Sequence, residues 1–448
     1  MKYLLEKYDQ PVPRYTSYPT VPYWQDSPTE SEWLTALEEG LTPPSATWSL
    51  YLHIPFCETL CTFCGCNTTI TKDHAKGLPY TDSLLKEWAL YRERMPHLGK
   101  KPLRQLHLGG GTPTFLSASE LDRLLRPLLE SANWEPGLSE ASIEVDPRRT
   151  SREQLAVLRK LGFGRVSLGV QDFDPEVQRL VNRIQPAEQT RAVTEAAREL
   201  GYTSVNFDLI YGLPKQTAES FTKSVDLTIQ LRPDRIALYS LAIVPWIKPA
   251  QRLFKDEDLP AAAEKRGLYE GARAALLGAG YREIGMDHFA LPTDGLCLAQ
   301  DNGTLHRNFM GYADLRTDVL LGLGVSSISE APGAFYQNEK VLPLWERKLN
   351  ERQLPGHRGH KLSGEDRRQR ERILQFMTRG AARLTQEEES DARLYLKPML
   401  DDGLVTIDSQ SLSITDRGRP FLRNAAVFFD LRLRRAKPST NNTFSRSI

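Results

Sequence analysis

Short runs rich in β-branched and aromatic residues alternate with longer stretches of helical periodicity between about residues 48 and 290. This alternation is typical of repeated βα units, whose strands lie parallel in one sheet. We predict strands at 49–54, 105–108, 142–145, 166–170, 205–210 and 236–241, with helices such as 119–130 and 218–230 between them. Six such units predict an α/β fold built on a partial TIM-type (β/α)6 barrel of parallel strands.

The chain divides into three predicted parts. Residues 1–47 contain PVPRYTSYPT, which is too rich in proline for a regular element, and we expect an N-terminal extended lid segment there. Residues 48–345 are predicted to form the barrel domain with an extension. After about residue 360, the charged helical pattern GEDRRQRERILQFM and the hairpin-like DDGLVTIDSQSLSITDRG predict a small, mainly helical C-terminal domain at 360–448.

The charge balance restricts the classes of partner. Lys and Arg number 58 against 57 Asp and Glu, so no nucleic-acid partner is expected, and any anionic ligand must be met by local basic groups. The sequence has no uncharged apolar run of about 18 residues, so no membrane insertion is expected. The N-terminal MKYLLEKYDQ carries charges where a secretory segment would be apolar, which predicts a cytoplasmic protein. We expect a monomer, because no heptad seam is evident.

Four of the five cysteines lie in one short stretch, CETLCTFCGC. So few cysteines do not make a disulfide framework in a chain of this length, and clustered thiols are better explained as metal ligands. The spacing of Cys57, Cys61 and Cys64 allows them to wrap one face of an iron–sulfur cubane. Structural zinc usually takes two pairs of ligands from separate segments, so zinc is the minority interpretation. The isolated Cys297 is typical of a small, partly buried side chain.

Polar residues and glycines follow the predicted strands at the ends where βα folds collect their chemistry. Three glycines in QLHLGGGTPTF follow the second strand, where missing side chains let the backbone approach a ligand. Glu144 and Asp208 lie at strand ends and can accept hydrogen bonds from hydroxyl or amino groups. Gln171 and Arg183 offer an amide and a cationic fork suited to a carboxylate. Taken singly, each is also compatible with an ordinary turn, an ion pair or a surface position.

The cysteine spacing, placed after a first strand and preceded by YLHIPF, resembles the radical S-adenosylmethionine superfamily. The resemblance implies a 4Fe-4S cluster held by Cys57, Cys61 and Cys64. It leaves one iron open to grip the amino and carboxylate groups of the methionine moiety. It also implies that Cys66 is not a ligand.

A more specific resemblance covers residues from near 8 to 330. The chain is similar to the oxygen-independent coproporphyrinogen III oxidases in the motifs PRYTSYPT, YLHIPFCxxxCxFCGC, LGGGTPT, SIEVDP, SLGVQDF, QRLVNR, FDLIYGLPKQT, GMDHFA, LHRNFMGY and LLGLGVSSIS. The related heme-chaperone branch resembles this chain in the glycine strip, but it lacks both CGC and RYTSYPT.

Resemblance to this family implies two S-adenosylmethionine molecules near one cluster. By motif position, the first contacts Tyr51, Gly110, Glu144 and Ile328. The second contacts Phe63, Gly111, Thr112, Gln171, Arg183, Asp208 and Ala242. The implied activity uses a 5′-deoxyadenosyl radical to convert two propionates of coproporphyrinogen III into vinyl groups, giving protoporphyrinogen IX in heme biosynthesis. A low-potential electron donor is implied as a partner.

The implied substrate is a flat apolar ring with four carboxylates, so its site should combine aromatic or aliphatic walls with a few basic groups. Candidate contacts are Arg14, Tyr15, His288, Arg307 and Tyr312. For each of them, a role in packing or at the surface is at least as compatible with the sequence.

The chain departs from the family's pattern at two positions. Ile243 stands where the family usually has His, and Thr378 stands where it often has Cys. Neither change touches the implied cluster or cofactor contacts, but both leave the substrate less constrained. Two alternatives therefore stand beside the oxidase: radical methyl transfer on the same two-cofactor scaffold, and a heme-binding or heme-delivery protein without turnover.

Overall fold

One twelve-stranded sheet forms the centre of the protein in a computed structural model that describes residues 2–436 and 444–446. Its strands are β1 Trp48–Ile54, β2 Leu103–Gly110, β3 Glu140–Val145, β4 Arg165–Gln171, β5 Ser204–Tyr211, β6 Arg235–Ser240, β7 Arg282–Ile284, β8 His288–Ala290, β9 Val319–Leu323, β10 Ile328–Ala331, β11 Ala334–Asn338 and β12 Gly356–Lys361. The first six correspond to the six strands predicted from the sequence; five contain the predicted range, and β6 ends one residue before the predicted end at 241.

The strand order is β12-β11-β10-β9-β1-β2-β3-β4-β5-β6-β8-β7. Strands β1 to β6 are parallel to one another, and β9 adds a further parallel strand beside β1. The pairings at both ends of this parallel block are antiparallel. Because the two ends of the sheet do not pair with each other, the α/β barrel is partial, and the predicted fold class is confirmed.

In the residues that the structure describes, sixteen α-helices accompany the sheet. They are α1 Lys2–Tyr8, α2 Glu30–Leu41, α3 Gly77–Arg94, α4 Ala118–Glu130, α5 Arg152–Lys160, α6 Pro175–Leu180, α7 Ala187–Glu199, α8 Ala218–Leu231, α9 Ala262–Gly278, α10 Gly295–Asp301, α11 Leu342–Asn350, α12 Gly364–Arg379, α13 Gln386–Tyr395, α14 Lys397–Asp401, α15 Leu422–Ala426 and α16 Leu431–Arg435. Short antiparallel pairs also occur at His306–Asn308 with Gly311–Ala313.

Capping and amphipathic spacing explain the crossover helices. Helix α4 begins after Ser117, whose hydroxyl accepts the Glu120 N–H, while the Glu120 carboxylate accepts the Ser117 N–H. Its apolar residues recur at helical spacing and are fully buried: Leu121, Leu124, Leu125 and Leu128. These side chains join the main core, which contains alternate residues of the parallel strands and so covers one face of them.

The N-terminal segment differs in part from the extended segment that was predicted. The proline-rich stretch 9–29 has no helix or strand beyond one short turn at Val21–Tyr23, but α1 and α2 flank it. Helix α2 forms because Thr29 and Glu32 make a capping box and the buried Trp33, Leu37 and Leu41 share one face. The notion that residues 1–47 act as a lid stays a prediction.

The C-terminal region has a core of its own. Helices α12 to α15 pack around a three-stranded antiparallel sheet of Ala381–Arg383, Ser411–Ile414 and Val405–Asp408, which contains the predicted hairpin. The same hydrophobic cluster includes Leu4, Leu5, Tyr8, Tyr15 and Tyr18 from the N-terminal segment. The division into 1–47, 48–345 and 360–448 remains a proposal, and residues 437–443, 447 and 448 lie outside the described residues.

No helix among the described residues is long and apolar enough to cross a membrane.

A buried carboxylate ties helix α3 to the extension of the sheet. Glu87 is fully buried, and it accepts hydrogen bonds from Gly324 N (2.8 Å), Asn338 Nδ2 (2.6 Å) and Trp345 Nε1 (3.1 Å). Burial raises the pKa of Glu87 from its ordinary value of 4.5 to about 7, against the lowering effect of these donors. The native state therefore binds the Glu87 proton more tightly than the unfolded chain does.

This raised pKa predicts that rising pH removes stability between pH 4.5 and about 7, because the unfolded chain ionises Glu87 in this range while the native state keeps it protonated. Glu87→Gln cannot ionise there. Its free energy of unfolding, relative to the wild type, should increase by about 3 kcal/mol from pH 4.5 to 7 and then level off. Urea unfolding at pH 5, 6, 7 and 8 measures this difference. The exposed Glu195→Gln is the matched control, and an equal pH dependence in Glu87→Gln and wild type would contradict the assignment.

Candidate active site

The cysteine loop starts where β1 ends. Phe56–Cys57 pairs in parallel with Thr69–Ile70 and so closes the base of the loop. The glycine strip after β2 is attached at the same place, because Gly111 N donates to Ile54 O (2.8 Å) and Thr112 N donates to Phe56 O (2.9 Å). The loop is thereby held at the carboxyl ends of the two neighbouring strands.

Side chains from later units hold the outer part of the loop. Asn182 Nδ2, which follows α6, donates to Leu60 O (2.8 Å). Lys248 Nζ, which follows β6, donates to Cys66 O (2.7 Å). The loop is therefore attached on three sides, by β2 and by the segments that follow α6 and β6.

The thiols of the loop are free and face the same opening. Cys57 Sγ lies 3.4 Å from Thr112 Oγ1. Cys61 is buried, and Arg183 Nη1 donates to its sulfur at 3.6 Å. Cys64 is half-buried, while Cys66 is exposed.

The thiols differ in acidity. Burial raises the pKa of Cys57 to about 11. A hydrogen bond from Cys66 lowers the pKa of Cys64, although burial acts in the opposite direction. A lowered pKa favours the thiolate, which is the form that binds metals.

Local backbone geometry explains why glycine occupies positions 110 and 111. Gly110 has φ +118°, a conformation that other residues rarely adopt. A Cβ atom on Gly111 would lie 2.7 Å from Pro55 O and 2.8 Å from Phe56 O, so any side chain there would push the strip away from the cysteine loop. Close contact between two backbones explains the missing side chains.

Two carboxylates at strand ends have opposite pKa shifts. Burial would raise the pKa of Glu144, but hydrogen bonds from His107 (3.4 Å) and from Gly110 N (3.3 Å) outweigh it and hold this pKa below its usual value. Burial, with the nearby Glu144 charge, raises the pKa of Asp208 to about 6. Both side chains are therefore mainly ionised acceptors at pH 7.

Arg183 bridges the loop and the next strands. Its Nη2 donates to Gly169 O (2.6 Å), and its Nη1 pairs with Asp146 Oδ2 (3.3 Å). Its buried Nε has no hydrogen-bond partner. Gln171 ends β4 beside a register shift and takes the left-handed conformation, φ 68°. Its unusual backbone directs the amide toward the same cavity.

An open cavity of about 410 Å³ brings most predicted site residues together. Its lining includes Arg14, Cys57, Cys61, Phe63, Cys64, Gly110, Gly111, Thr112, Glu144, Gln171, Arg183, Asp208 and Ala242. Residues from the loops and ends of β1 to β6 thus meet in one place, as the parallel arrangement requires.

Tyr51 and Ile328 lie beside this group rather than in the lining of the cavity. Tyr51 stacks on His107 with ring centroids 5.9 Å apart, and its hydroxyl lies 3.0 Å from His53 Nδ1. Ile328 begins β10, and its carbonyl oxygen faces Gly322, which pairs with Tyr51 in the sheet. Both therefore stand on the β9 side of the site.

The predicted substrate contacts fall into two groups. His288 and Tyr312 line a small interior cavity of about 70 Å³ together with Glu144 and Asp208. Arg307 stacks on the Tyr312 ring, 4.4 Å from its centroid. Tyr15 instead lies in the C-terminal hydrophobic cluster, where its hydroxyl donates to Asp430 (3.1 Å). The structure therefore does not bring Tyr15 to the cavity.

Sequence reasoning missed several lining residues. Asp146 holds both Arg183 and Arg148, and Arg148 Nη2 donates to Asp146 Oδ2 at 2.6 Å. A period of two along a strand places residue 146 on the same face as Glu144, so SIEVDP carried this signal. Tyr239 lies inside β6 and Gln251 lies in the segment after it, and neither belongs to a sequence pattern that indicates a site.

The donor set fits an iron–sulfur cluster. In the part of the chain that the structure describes, no three His, Cys, Asp or Glu side chains surround one point, as a single metal ion would need. Thiols that bind different irons of a cluster do not need to meet at one point. This less strict requirement is met by three free thiols on one loop at the edge of a polar cavity, those of Cys57, Cys61 and Cys64.

The contact between the glycine strip and the loop generates a prediction. Gly111→Ala should separate the strip from the cysteine loop, because its Cβ would collide with backbone atoms of Pro55 and Phe56. We expect S-adenosylmethionine binding to weaken at least about tenfold, measured anaerobically by equilibrium dialysis. Gly137→Ala, whose Cβ would meet no atom within 4 Å, is the control. Unchanged binding in Gly111→Ala would show that the contact has no role in cofactor binding.

Comparisons with known proteins agree with this geometry. A family model described as the radical SAM superfamily matches residues 51–228. The oxygen-independent coproporphyrinogen III oxidase of Pseudomonas aeruginosa is 41% identical, over 99% of this chain and 98% of the relative. The protein of that name from Escherichia coli is also 41% identical, over 99% of this chain and 98% of its own length.

A solved structure shows the same similarity. Coproporphyrinogen III oxidase from Escherichia coli, described as a radical SAM enzyme, matches with a TM-score of 0.88 at 39% identity. The match covers 94% of this chain and 100% of the other. The chain belongs to the oxygen-independent coproporphyrinogen III oxidase family of radical S-adenosylmethionine enzymes.

Proposed function

We propose that this protein converts two propionate side chains of coproporphyrinogen III into vinyl groups without oxygen, giving protoporphyrinogen IX in heme biosynthesis. The observation that carries the proposal is the single cavity in which Cys57, Cys61 and Cys64 meet the glycine strip and the polar strand ends. Family membership over nearly the whole chain supports it. Cytoplasmic location, a monomeric state and a low-potential electron donor belong to the same proposal.

Family membership implies a 4Fe-4S cluster and S-adenosylmethionine as cofactors. We assign the cluster to Cys57, Cys61 and Cys64, with Cys66 outside the ligand set. We assign two S-adenosylmethionine molecules to the site, the first beside Tyr51, Gly110, Glu144 and Ile328, and the second beside Phe63, Gly111, Thr112, Gln171, Arg183, Asp208 and Ala242. When bound, cluster and cofactor together supply a 5′-deoxyadenosyl radical that can remove a hydrogen atom from a propionate.

The chain's own residues hold and orient these ligands. Arg183 has one buried nitrogen, Nε, without a hydrogen-bond partner, and a guanidinium can bind a carboxylate. The ionised Glu144 and Asp208 can accept hydrogen bonds from hydroxyl or amino groups. Positioning of this kind is what a reactive radical requires, since it attacks the nearest C–H bond.

Among the predicted substrate contacts, Arg14 lies at the main cavity, and His288, Arg307 and Tyr312 lie together beneath it. Tyr312 and His288 make edge-to-face contact at 5.3 Å, which gives an aromatic wall beside a guanidinium. This combination suits an apolar ring that carries carboxylates. Tyr15 lines neither of these two cavities, so the structure gives no support for it as a substrate contact.

The two departures from the family pattern occupy different places. Ile243 packs in an apolar cluster with Leu241 and Val177, between the cavity-lining residues Ala242 and Val244. The hydroxyl of Thr378 donates to Leu374 O (2.8 Å) within α12. Neither Ile243 nor Thr378 itself lines the main cavity.

An anaerobic assay tests the proposal. The reconstituted protein is incubated with reductant, S-adenosylmethionine and coproporphyrinogen III, and mass spectrometry follows 5′-deoxyadenosine and the tetrapyrroles. We expect loss of two carboxyl groups per substrate together with deoxyadenosine formation. Exposure to air before the assay should abolish both, because a cluster with an open iron is sensitive to oxygen.

The other outcomes contradict the proposal in distinct ways. Deoxyadenosine with a methylated product would indicate radical methyl transfer. Stoichiometric porphyrin binding without deoxyadenosine would indicate a heme-binding or heme-delivery protein.

A further inference from the structure

A second cavity lies on the other side of β6, between the barrel and the C-terminal region. Its volume is about 240 Å³. The lining comes from Tyr211 and Ser240 at the ends of β5 and β6, from Arg266 and Tyr269 on α9, and from residues 416–423. Arg14 and Ser240 line this cavity and the active-site cavity, so the two are neighbours with a shared wall.

Some of the cations in this cavity are neutralised locally. Arg266 pairs with Glu270 on its own helix, and Arg273 pairs with Glu283 at 2.8 Å. Arg419 pairs with Asp416 at 3.3 Å. These carboxylates therefore balance the positive charge of three of the arginines.

Arg423 and Arg14 are left without a carboxylate partner in the described part of the chain. Arg423 is only 7% exposed, and it donates to the carbonyl oxygens of Val12 (3.1 Å) and Arg446 (2.8 Å). Arg14 donates to Ser240 O (3.0 Å). Backbone carbonyls orient these guanidinium groups, but they do not neutralise their charge.

Arg307 adds a third cation to the same region. It is 7% exposed, its Nε and Nη1 have no hydrogen-bond partner, and its Nη2 donates to Arg14 O (3.4 Å). Asp287 is the acid that faces this group, and it also binds His288 at 2.6 Å. Burial and the charge of Arg14 lower the pKa of Arg423 to about 9. Three guanidinium groups around one shared carboxylate leave uncompensated buried charge, which is costly without an anion.

We propose that the second cavity binds the carboxylates of substrate propionates that are not reacting, with Arg423 as the main contact and Arg14 and Arg266 beside it. The inference rests on the proposed function, because it takes the tetrapyrrole as the ligand.

Size and chemistry favour a side chain of the substrate over a separate ligand. A cavity of about 240 Å³ is smaller than the roughly 300–1,000 Å³ typical of whole-ligand pockets. It opens beside Arg14, which also lines the cavity for the reaction. Guanidinium groups bind carboxylates in a planar, bidentate manner, and Tyr211 and Tyr269 supply a wall for the methylene groups.

The test compares coproporphyrin III with its tetramethyl ester, whose carboxylates are blocked. Binding to the reconstituted holoenzyme is measured by fluorescence quenching for wild type, Arg423→Gln and Arg423→Lys. We expect wild type to prefer the free acid, and Arg423→Gln to lose about tenfold or more of that preference. Arg423→Lys should recover part of it. In turnover assays, the KM for coproporphyrinogen III should rise in Arg423→Gln by more than kcat falls.

Arg393→Gln, on the exposed face of α13, is the matched control and should behave as wild type. Iron content and S-adenosylmethionine affinity report whether a variant retains its active site. Should Arg423→Gln not fold, Arg266→Gln takes its place, because Arg266 has its ion pair within its own helix and a buried Nε without a partner.

Equal binding of acid and ester by wild type, or an unchanged preference in a folded Arg423→Gln, would overturn the inference. Either result, with two carboxyl groups still lost in the wild-type assay, leaves the proposed function intact. Failure of the wild-type assay itself would instead remove the proposed function.

Discussion

Two backbone hydrogen bonds connect the glycine strip to the start of the cysteine loop, from Gly111 N to Ile54 O and from Thr112 N to Phe56 O. They exist because β1 and β2 are parallel neighbours whose carboxyl ends lie at the same edge of the sheet. The close approach requires glycine, since a Cβ on Gly111 would meet two carbonyl oxygens. This attachment fixes the base of the loop that carries the thiols.

Charged side chains at the same edge of the sheet are also held in fixed positions by their neighbours. His107 and Gly110 N keep Glu144 ionised, while burial raises the pKa of Asp208. Arg183 pairs with Asp146 and donates to the Cys61 sulfur, so it joins the loop to β3 and β4. The cavity is therefore lined by charges that are oriented before any ligand enters, which lowers the cost of reorganisation on binding.

Much of this could be predicted from the sequence because the signals were local. Hydrophobic runs indicated six of the seven strands in the parallel block, and most of the residues predicted for the site from motif positions line the main cavity. Other features depend on contacts between distant segments. Tyr15 is buried against Asp430, which no local pattern near residue 15 indicates. Helix α2 was missed because the proline-rich stretch before it suggested an extended segment throughout. The second cavity joins residues 14, 266 and 423, and only the tertiary fold brings them together.

The measurement that tests the account most directly is the iron and acid-labile sulfide content of single cysteine variants, purified and reconstituted without oxygen. Replacement of Cys57, Cys61 or Cys64 by alanine should each abolish the cluster, whereas Cys66→Ala, on the exposed end of the loop, should retain it. Loss of the cluster in Cys66→Ala, or its retention in any of the other three, would contradict the claim that these three thiols hold the cluster at the carboxyl ends of the strands.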